Sequence, residues 1–151
     1  MPTNTQFADL TDLVGSDLGV TEWMEVTQDR VNTFADATDD PQWIHVDPER
    51  ARSGPFGTTI AHGYLTLALV IPLFTELLEV EGVGTKLNYG LNKVRFPAPV
   101  KVGSRIRLGA VVREVTEVGG GGRQLTFDAT VEIEGSEKPA CVAQPVFRFY
   151  A

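Results

Sequence analysis

The change of residue pattern at Gly84 constrains the fold of this chain more than any other feature of its sequence. Upstream lie helix-like segments, and the last of them contains the longest apolar stretch, residues 65–74. Downstream come runs rich in Val, Ile, Phe and Thr, several of them alternating apolar with polar residues, at 87–96, 105–118, 124–134 and 140–149. The consecutive glycines at 119–122 predict a hairpin turn between the second and third runs. This order predicts an α+β fold, in which an antiparallel β-sheet meander wraps around a long central α-helix.

Shorter elements are predicted in the first half of the chain. The patterns indicate, in order, a helix at 7–14, a strand at 18–26, a helix at 28–38 and the apolar helix at 62–78. Thr27 is the expected N-cap of the second of these helices, and Asp47 followed by Pro48 predicts the start of a further short helix. Pro72 is expected to kink or divide the apolar helix.

Composition limits the classes of function. With 151 residues, the chain is expected to form one domain over residues 1–151. Its net charge of −7 argues against general nucleic-acid binding, which depends on Lys and Arg contacts to phosphates. The single cysteine, Cys141, cannot form an internal disulfide, which fits a reducing cytoplasm. No signal-peptide pattern is visible at residues 1–11, and the apolar stretch is too short to insert across a membrane.

An acid and an imidazole stand close together in the segment Thr38-Asp39-Asp40-Pro41-Gln42-Trp43-Ile44-His45. Because Pro41 pushes the preceding residue out of the helical region, the segment must bend, and the bend can direct Asp40 and His45 at one point. Such a pair can hold and polarise a water molecule. The alternative is that Asp40 ends a helix and His45 is a satisfied core histidine. Asp36 and Asp39 stand nearby, so spacing alone does not select the acting carboxylate.

His62 and Gly63, at the start of the apolar helix, form a second candidate site. Glycine allows a substrate to approach the backbone, and the first N–H groups of a helix have no internal partner. Those donors suit an oxygen that gains negative charge during a reaction. The alternative is that Gly63 relieves crowding and His62 caps the helix. The sequence supports the two interpretations equally.

Other motifs are excluded by their spacing. The glycines at 119–122 are followed by Arg123 and lack the pattern of a phosphate loop, and Gly82-Val83-Gly84 is not continued as a dinucleotide fingerprint. Two histidines and one cysteine, widely separated, do not form a zinc set. No GxSxG nucleophile elbow is present. Cys141 lies within a predicted strand, where a buried structural thiol is expected.

Three blocks in order resemble the (R)-specific enoyl-CoA hydratases, the MaoC-like or hydratase-2 family with the hotdog fold. In the first block Phe34-Ala35 supplies the aromatic lead, Asp40 and His45 fall on the catalytic pair, and Ala51 matches the trailing small residue. The second block is residues 56–66, and the third is residues 89–96 with Pro99-Val100 and Val102-Gly103. Three residues depart from the family pattern, in which Gly, Asn and Pro stand at the positions of Asp39, Gln42 and Trp43.

The resemblance implies a reaction and a set of site residues. The reaction is reversible addition of water to a trans-2-enoyl thioester, giving a (3R)-hydroxyacyl thioester carried by CoA or acyl-carrier protein. Asp40 and His45 would share the acid and base work, in an order that the sequence leaves open, and the Gly63 N–H would bind the thioester oxygen. The implied substrate contacts are Ile60, His62, Asn88, Tyr89 and Arg95, with Lys93 as a further one. For the strand residues among them, a surface position that only supports the fold is the equal alternative.

The resemblance also implies a homodimer, and the chemistry needs no metal, flavin or nicotinamide. Two other functions fit the same fold. A hotdog acyl-CoA thioesterase usually relies on a carboxylate on the long helix, whereas the nearest one here is Glu76, beyond Pro72. A non-catalytic acyl-thioester-binding subunit would have lost the catalytic pair, but this chain retains both Asp40 and His45.

Overall fold

The structure, a computed structural model, describes residues 1–151. In chain order the strands are β1 (Thr3–Gln6), β2 (Asp17–Val20), β3 (Met24–Glu25), β4 (Leu78–Glu81), β5 (Thr85–Arg95), β6 (Arg105–Val118), β7 (Gly122–Ile133) and β8 (Cys141–Tyr150). The α-helices are α1 (Gln28–Thr38), α2 (Trp43–Val46), α3 (Pro48–Arg52), α4 (Gly63–Ala68) and α5 (Val70–Leu77), and short 3-10 helices cover Phe7–Leu13 and Gly119–Gly121. Helices and long strands thus occupy the segments that the residue patterns predict, which confirms the α+β class.

The main sheet is antiparallel, with strands in the order β2-β6-β7-β8-β5 and β3 beside β6. The predicted meander is confirmed for β6, β7 and β8, and the predicted glycine hairpin joins β6 to β7. The prediction is wrong for β5, which pairs with β8 instead of β6. Residues 96–104, which connect β5 to β6, form no tight turn and instead bond to the segment before α4. The Ala61 N–H donates to the Val100 carbonyl, and the Val102 N–H donates to the Thr59 carbonyl.

The apolar helix is divided at Leu69, so the predicted single helix 62–78 is in fact α4 and α5. Pro72 explains the position of the break, because it has no N–H to donate to the carbonyl four residues earlier and its ring crowds that carbonyl. Both halves bury apolar side chains against the sheet, and the Phe74 ring stacks on Phe127 at 4.1 Å between centroids. None of the helices combines the length and the hydropathy needed to cross a membrane.

Three local features differ from the sequence pattern or extend it. The predicted strand 18–26 is interrupted, and its two pieces, β2 and β3, both pair with β6. β1 and β4 form a small parallel sheet that the pattern did not indicate. Thr27 and Asp47 cap α1 and α3 as predicted, since their side chains accept from the N–H groups of Arg30 and Arg50.

Cys141 is fully buried at the start of β8, and burial raises the pKa of its thiol to about 11.

Candidate active site

The segment between α1 and α2 bends sharply, as Pro41 predicts. α1 ends with Asp39 in the left-handed conformation at φ 55°, and the N–H groups of Asp39 and Asp40 both donate to the Ala35 carbonyl. This termination is the one that glycine usually makes, which accounts for the Gly of the family pattern at this position. The chain then passes Pro41 and re-enters helix at Trp43, so that Asp40 and His45 lie on either side of the bend.

The His45 side chain is buried, with 7% of its surface exposed, and its orientation is fixed by the backbone of a neighbouring segment. Its Nδ1 lies 2.7 Å from the Ile60 carbonyl oxygen. Because that oxygen can only accept, Nδ1 carries the proton and Nε2 carries the lone pair. Nε2 has no hydrogen-bond partner within the protein and remains in contact with solvent. His45 therefore presents an unprotonated nitrogen to the outside.

The main chain of His45 is also held. The Gln28 side chain donates to the His45 carbonyl at 2.7 Å, and its amide oxygen accepts from the Thr59 hydroxyl at 2.6 Å. Gln28 thus joins α1, α2 and the segment before α4. Nothing in the sequence marks Gln28 for this role, since a glutamine at the start of a helix carries no signal of such a contact.

The pKa of His45 is lowered from 6.5. Burial is the main cause, because it disfavours the charged imidazolium, and the neighbouring His62 lowers the pKa further. The hydrogen bond to Ile60 and the charge of Asp40 act in the opposite direction with less effect. His45 is therefore neutral at pH 7 and able to accept a proton.

His62 occupies the N-cap position of α4, where its carbonyl accepts from the N–H groups of Leu65 and Thr66, but its side chain makes no capping hydrogen bond. The Nε2–H donates to the main-chain carbonyl of Asp40 at 2.9 Å and lies 3.8 Å from the Asp40 carboxylate. The ring stacks on His45 with 3.8 Å between centroids and 23° between planes. Asp40, His45 and His62 together form a cluster in which one ligand atom from each lies within 4.8 Å of the others.

This cluster is poorly suited to a metal ion. A metal ligand uses the lone pair in the plane of the imidazole ring, and the stacked rings of His45 and His62 hold their lone pairs in two nearly parallel planes instead of directing them at one point. One nitrogen of each ring is also already bonded to a backbone carbonyl. The arrangement favours acid–base chemistry over metal binding.

Gly63 is the first residue of α4, beside the histidine cluster. The N–H groups of Gly63 and Tyr64 donate to no acceptor within the protein. A Cβ at position 63 would lie 3.2 Å from the Phe96 ring, so a larger residue would have to displace that ring. Gly63 therefore relieves crowding against Phe96, as one of the two interpretations predicts, and the two N–H donors beside it have no partner.

An apolar cavity of about 240 Å³ begins next to this helix start and runs between the helices and the sheet. It is lined by Tyr64, Leu67, Ala68, Val70, Ile71, Asn88, Gly90, Leu91, Pro145 and Phe147. Asn88 is one of its few polar groups, at a register position opposite Phe147. The cavity provides room for an apolar chain close to Gly63.

The side chains of the other predicted site residues lie outside the cluster of Asp40, His45 and His62. Ile60 takes part through its main-chain carbonyl, which accepts from His45. Tyr89 lies on the opposite face of the sheet from Asn88, with the Arg148 guanidinium over its ring. Arg95 is exposed near the end of β5, as is Lys93, and its guanidinium returns to the Val94 carbonyl. Trp43 packs on Gly54 and under Arg50.

Comparison with known proteins agrees with these observations. The MaoC-like domain model matches residues 9–133. The 3-hydroxyacyl-thioester dehydratase Z of Mycobacterium tuberculosis is 55% identical over all 151 residues of both chains. Nodulation protein N of Rhizobium leguminosarum is 46% identical over 138 residues, which are 90% of this chain and 86% of the relative.

Solved structures agree on the fold. An (R)-hydratase from A. caviae superposes with a TM-score of 0.72, at 23% identity, over 89% of this chain and 94% of that one. This likeness confirms the predicted hotdog fold, in which the antiparallel sheet packs on the central helix. Given the match over residues 9–133 and the full-length similarity, the chain belongs to the MaoC-like domain family and is an enzyme of the hydro-lyase class.

Proposed function

We propose that this enzyme catalyses the reversible addition of water to trans-2-enoyl thioesters, forming (3R)-hydroxyacyl thioesters, with Asp40 and His45 as its catalytic residues. The observation that carries the proposal is a neutral imidazole, open at Nε2, that shares a cluster within 4.8 Å with the half-exposed carboxylate of Asp40. The similarity to a 3-hydroxyacyl-thioester dehydratase supports the substrate class, and the carrier is CoA or acyl-carrier protein.

The pair supplies the proton transfers that the reaction needs. In hydration, a water molecule bonds through its oxygen to C3 while it gives one proton to the pair, and the pair gives one proton to C2. The net change is addition of one water, and the pair returns to its starting state. Because His45 is neutral with Nε2 unprotonated, His45 is the group that receives the proton, and Asp40 orients the water.

The helix start supplies the electrostatic part of the mechanism. As C3 is attacked, negative charge develops on the thioester oxygen, and donors aimed at that oxygen stabilise the transition state. The free N–H groups of Gly63 and Tyr64 are available for this role. The apolar cavity beside Tyr64 is the proposed site of the acyl chain, which exchanges contact with water for contact with apolar side chains.

A second copy of the chain completes the proposed assembly. β5 pairs only with β8, so one edge of this 11-residue strand is free. Large apolar side chains are exposed along it and at the start of α4: Tyr64, Leu87, Tyr89, Leu91 and Phe96. A long, free, apolar strand edge favours association, and a homodimer would cover it.

The first experiment measures the loss of conjugated-enoyl absorbance when the protein meets crotonyl-CoA. We expect Asp40→Asn and His45→Ala to lose at least about 100-fold in kcat, the usual scale for a positioned acid or base. Asp39→Asn is the matched control, since this neighbouring carboxylate lies outside the cluster, and it should retain activity.

The products distinguish the rival functions. An (R)-hydroxy product supports the hydratase, whereas release of free thiol would identify a thioesterase. Binding of the thioester without either change would identify a binding subunit. Glu76, the helix carboxylate available to a thioesterase mechanism, is exposed on α5 and lies outside both the cluster and the cavity lining.

A further inference from the structure

His62 contacts both members of the proposed catalytic pair, although the family resemblance groups it with the substrate contacts. We propose that His62 is a positioning residue, which fixes Asp40 and His45 relative to each other and does not touch the substrate. This inference rests on the proposed function and assigns a separate role within the same site.

The first contact holds Asp40 through its backbone. The Asp40 carbonyl accepts from the His62 Nε2–H at 2.9 Å, at the peptide that joins Asp40 to Pro41. The Asp40 side chain is 51% exposed and makes no hydrogen bond of its own that would orient it. Fixing the adjacent peptide therefore limits where the Asp40 carboxylate can point.

The second contact holds the His45 ring. The His62 ring contacts two aromatic groups, with His45 stacked on it at 3.8 Å and Phe34 tilted against it at 4.9 Å between centroids. The Ile60 carbonyl holds the Nδ1 edge of His45 and His62 covers one of its faces. Together these contacts hold the ring and leave Nε2 as its unbonded nitrogen, available to the proposed water.

His62 has no polar atom free for a substrate. The residue is 3% exposed, and its Nε2 is committed to Asp40. Its Nδ1 is buried and has no hydrogen-bond partner. A buried acceptor without a partner destabilises the fold, so a nonpolar residue would be favoured here if packing were the only requirement. The unpaired Nδ1 thus lowers the stability of the fold, at a position where the imidazole contacts both Asp40 and His45.

Two variants separate the two contacts. His62→Gln keeps a donor near the position of Nε2 but loses the stacked ring, whereas His62→Phe keeps a ring but loses the donor. We expect each variant to lower kcat by about 10- to 100-fold, the scale for removing a group that orients a catalytic residue. KM should change by less than about two-fold, because no substrate contact is lost.

The pH profile gives a readout that a purely structural role would not move. His62 and Asp40 are the titratable groups that act on His45, and His62 lowers the pKa of His45. Removing His62 should therefore raise that pKa and move the acid limb of the kcat/KM profile to higher pH. NMR titration of the His45 ring measures the same shift without substrate, and the nitrogen spectra should show Nδ1–H on His45 and Nε2–H on His62.

Leu73→Ala is the control for general destabilisation, since Leu73 is fully buried on α5 and lines neither the cluster nor the cavity. It should lower the melting temperature but leave kcat per folded molecule unchanged. The proposal is overturned if the His62 variants raise KM at constant kcat, or if Leu73→Ala reproduces their loss of kcat. An inactive wild type would contradict the proposed function, and the NMR titration would then decide the role of His62 alone.

Discussion

At the scale of single residues, the burial of His45 links the proposed chemistry to pH. Because its pKa is lowered from 6.5, we expect the acid limb of kcat/KM to be centred below pH 6.5, where His45 becomes protonated. An acid limb centred above pH 6.5 would contradict this assignment. The measurement is the pH profile of crotonyl-CoA hydration, corrected for the fraction of folded protein.

The same pKa shift predicts a change in stability. In the unfolded chain His45 titrates near 6.5, and in the folded protein it binds its proton more weakly. The unfolded state therefore takes up more protons in this range, so the contribution of His45 to stability is present above pH 6.5 and is lost as pH falls through the lowered pKa. Melting temperatures across this range should show a smaller acid-side decline for His45→Gln than for the wild type.

Asp39 gives a prediction that concerns stability alone. Its φ of 55° lies in the left-handed region, which costs a residue with a side chain free energy and costs glycine little. Asp39→Gly should raise the free energy of unfolding by about 0.5–1 kcal/mol, measured by urea denaturation. Hydration activity should not change, because Asp39 is outside the histidine cluster. A loss of stability would show that the Asp39 side chain contributes a contact that outweighs the strain.

At the scale of elements, two positions of the four-glycine hairpin differ in whether they have room for a side chain. A Cβ at Gly122, where β7 begins, would lie 2.5 Å from the Tyr150 ring and 2.9 Å from Val118, whereas a Cβ at Gly119 would meet no atom within 4 Å. Gly122→Ala should therefore destabilise the protein by about 1–3 kcal/mol, the usual cost of overpacking. Gly119→Ala is the matched control and should be nearly neutral in the same denaturation experiment.

How far the sequence predicts these elements depends on whether the signal is local. Helix α1, the caps Thr27 and Asp47, and the long strands follow from residue periodicity and capping chemistry, and all are found. The pairing of β5 with β8 and the parallel β1–β4 sheet depend on contacts between distant segments, which periodicity does not encode. The bend at Pro41 was predicted because one residue causes it.

In the candidate site, too, some residues carry a local sequence signal and others depend on contacts between distant segments. Motif and spacing indicate Asp40, His45 and Gly63, and in the structure Asp40 and His45 share a cluster with His62, the residue before Gly63. The bridge made by Gln28, and the backbone carbonyl of Ile60 that selects the His45 tautomer, arise only when α1, α2 and the segment before α4 meet. Such interactions involve groups that every residue carries, or side chains without a distinctive pattern, so the sequence gives no signal of them.

At the scale of the whole molecule, the two edges of the sheet differ in a way that predicts which one associates. One edge is formed by β2, which has four residues and contains Gly19 at a positive φ, and by the two-residue β3, and such short, irregular edges resist pairing. The other is β5, which has 11 residues and is exposed over nearly its whole length. We therefore expect the proposed homodimer to form through β5.

Sedimentation of two variants, each with a lysine on one of the two sheet edges, tests whether the dimer forms through β5. The chain mass is 16.4 kDa, and the wild type should sediment with twice that mass. Leu87→Lys places a charge on β5 and should yield monomers, because a lysine at a pairing edge is desolvated when the edges meet. Val20→Lys makes the same change on β2, at a side chain with nearly equal exposure, 52% against 49% for Leu87, and should stay dimeric. A monomeric wild type, or dissociation by Val20→Lys alone, would contradict an interface at β5. Because the proposed cavity includes Asn88 and Leu91 of β5, dissociation by Leu87→Lys should also weaken thioester binding, visible as a rise in KM.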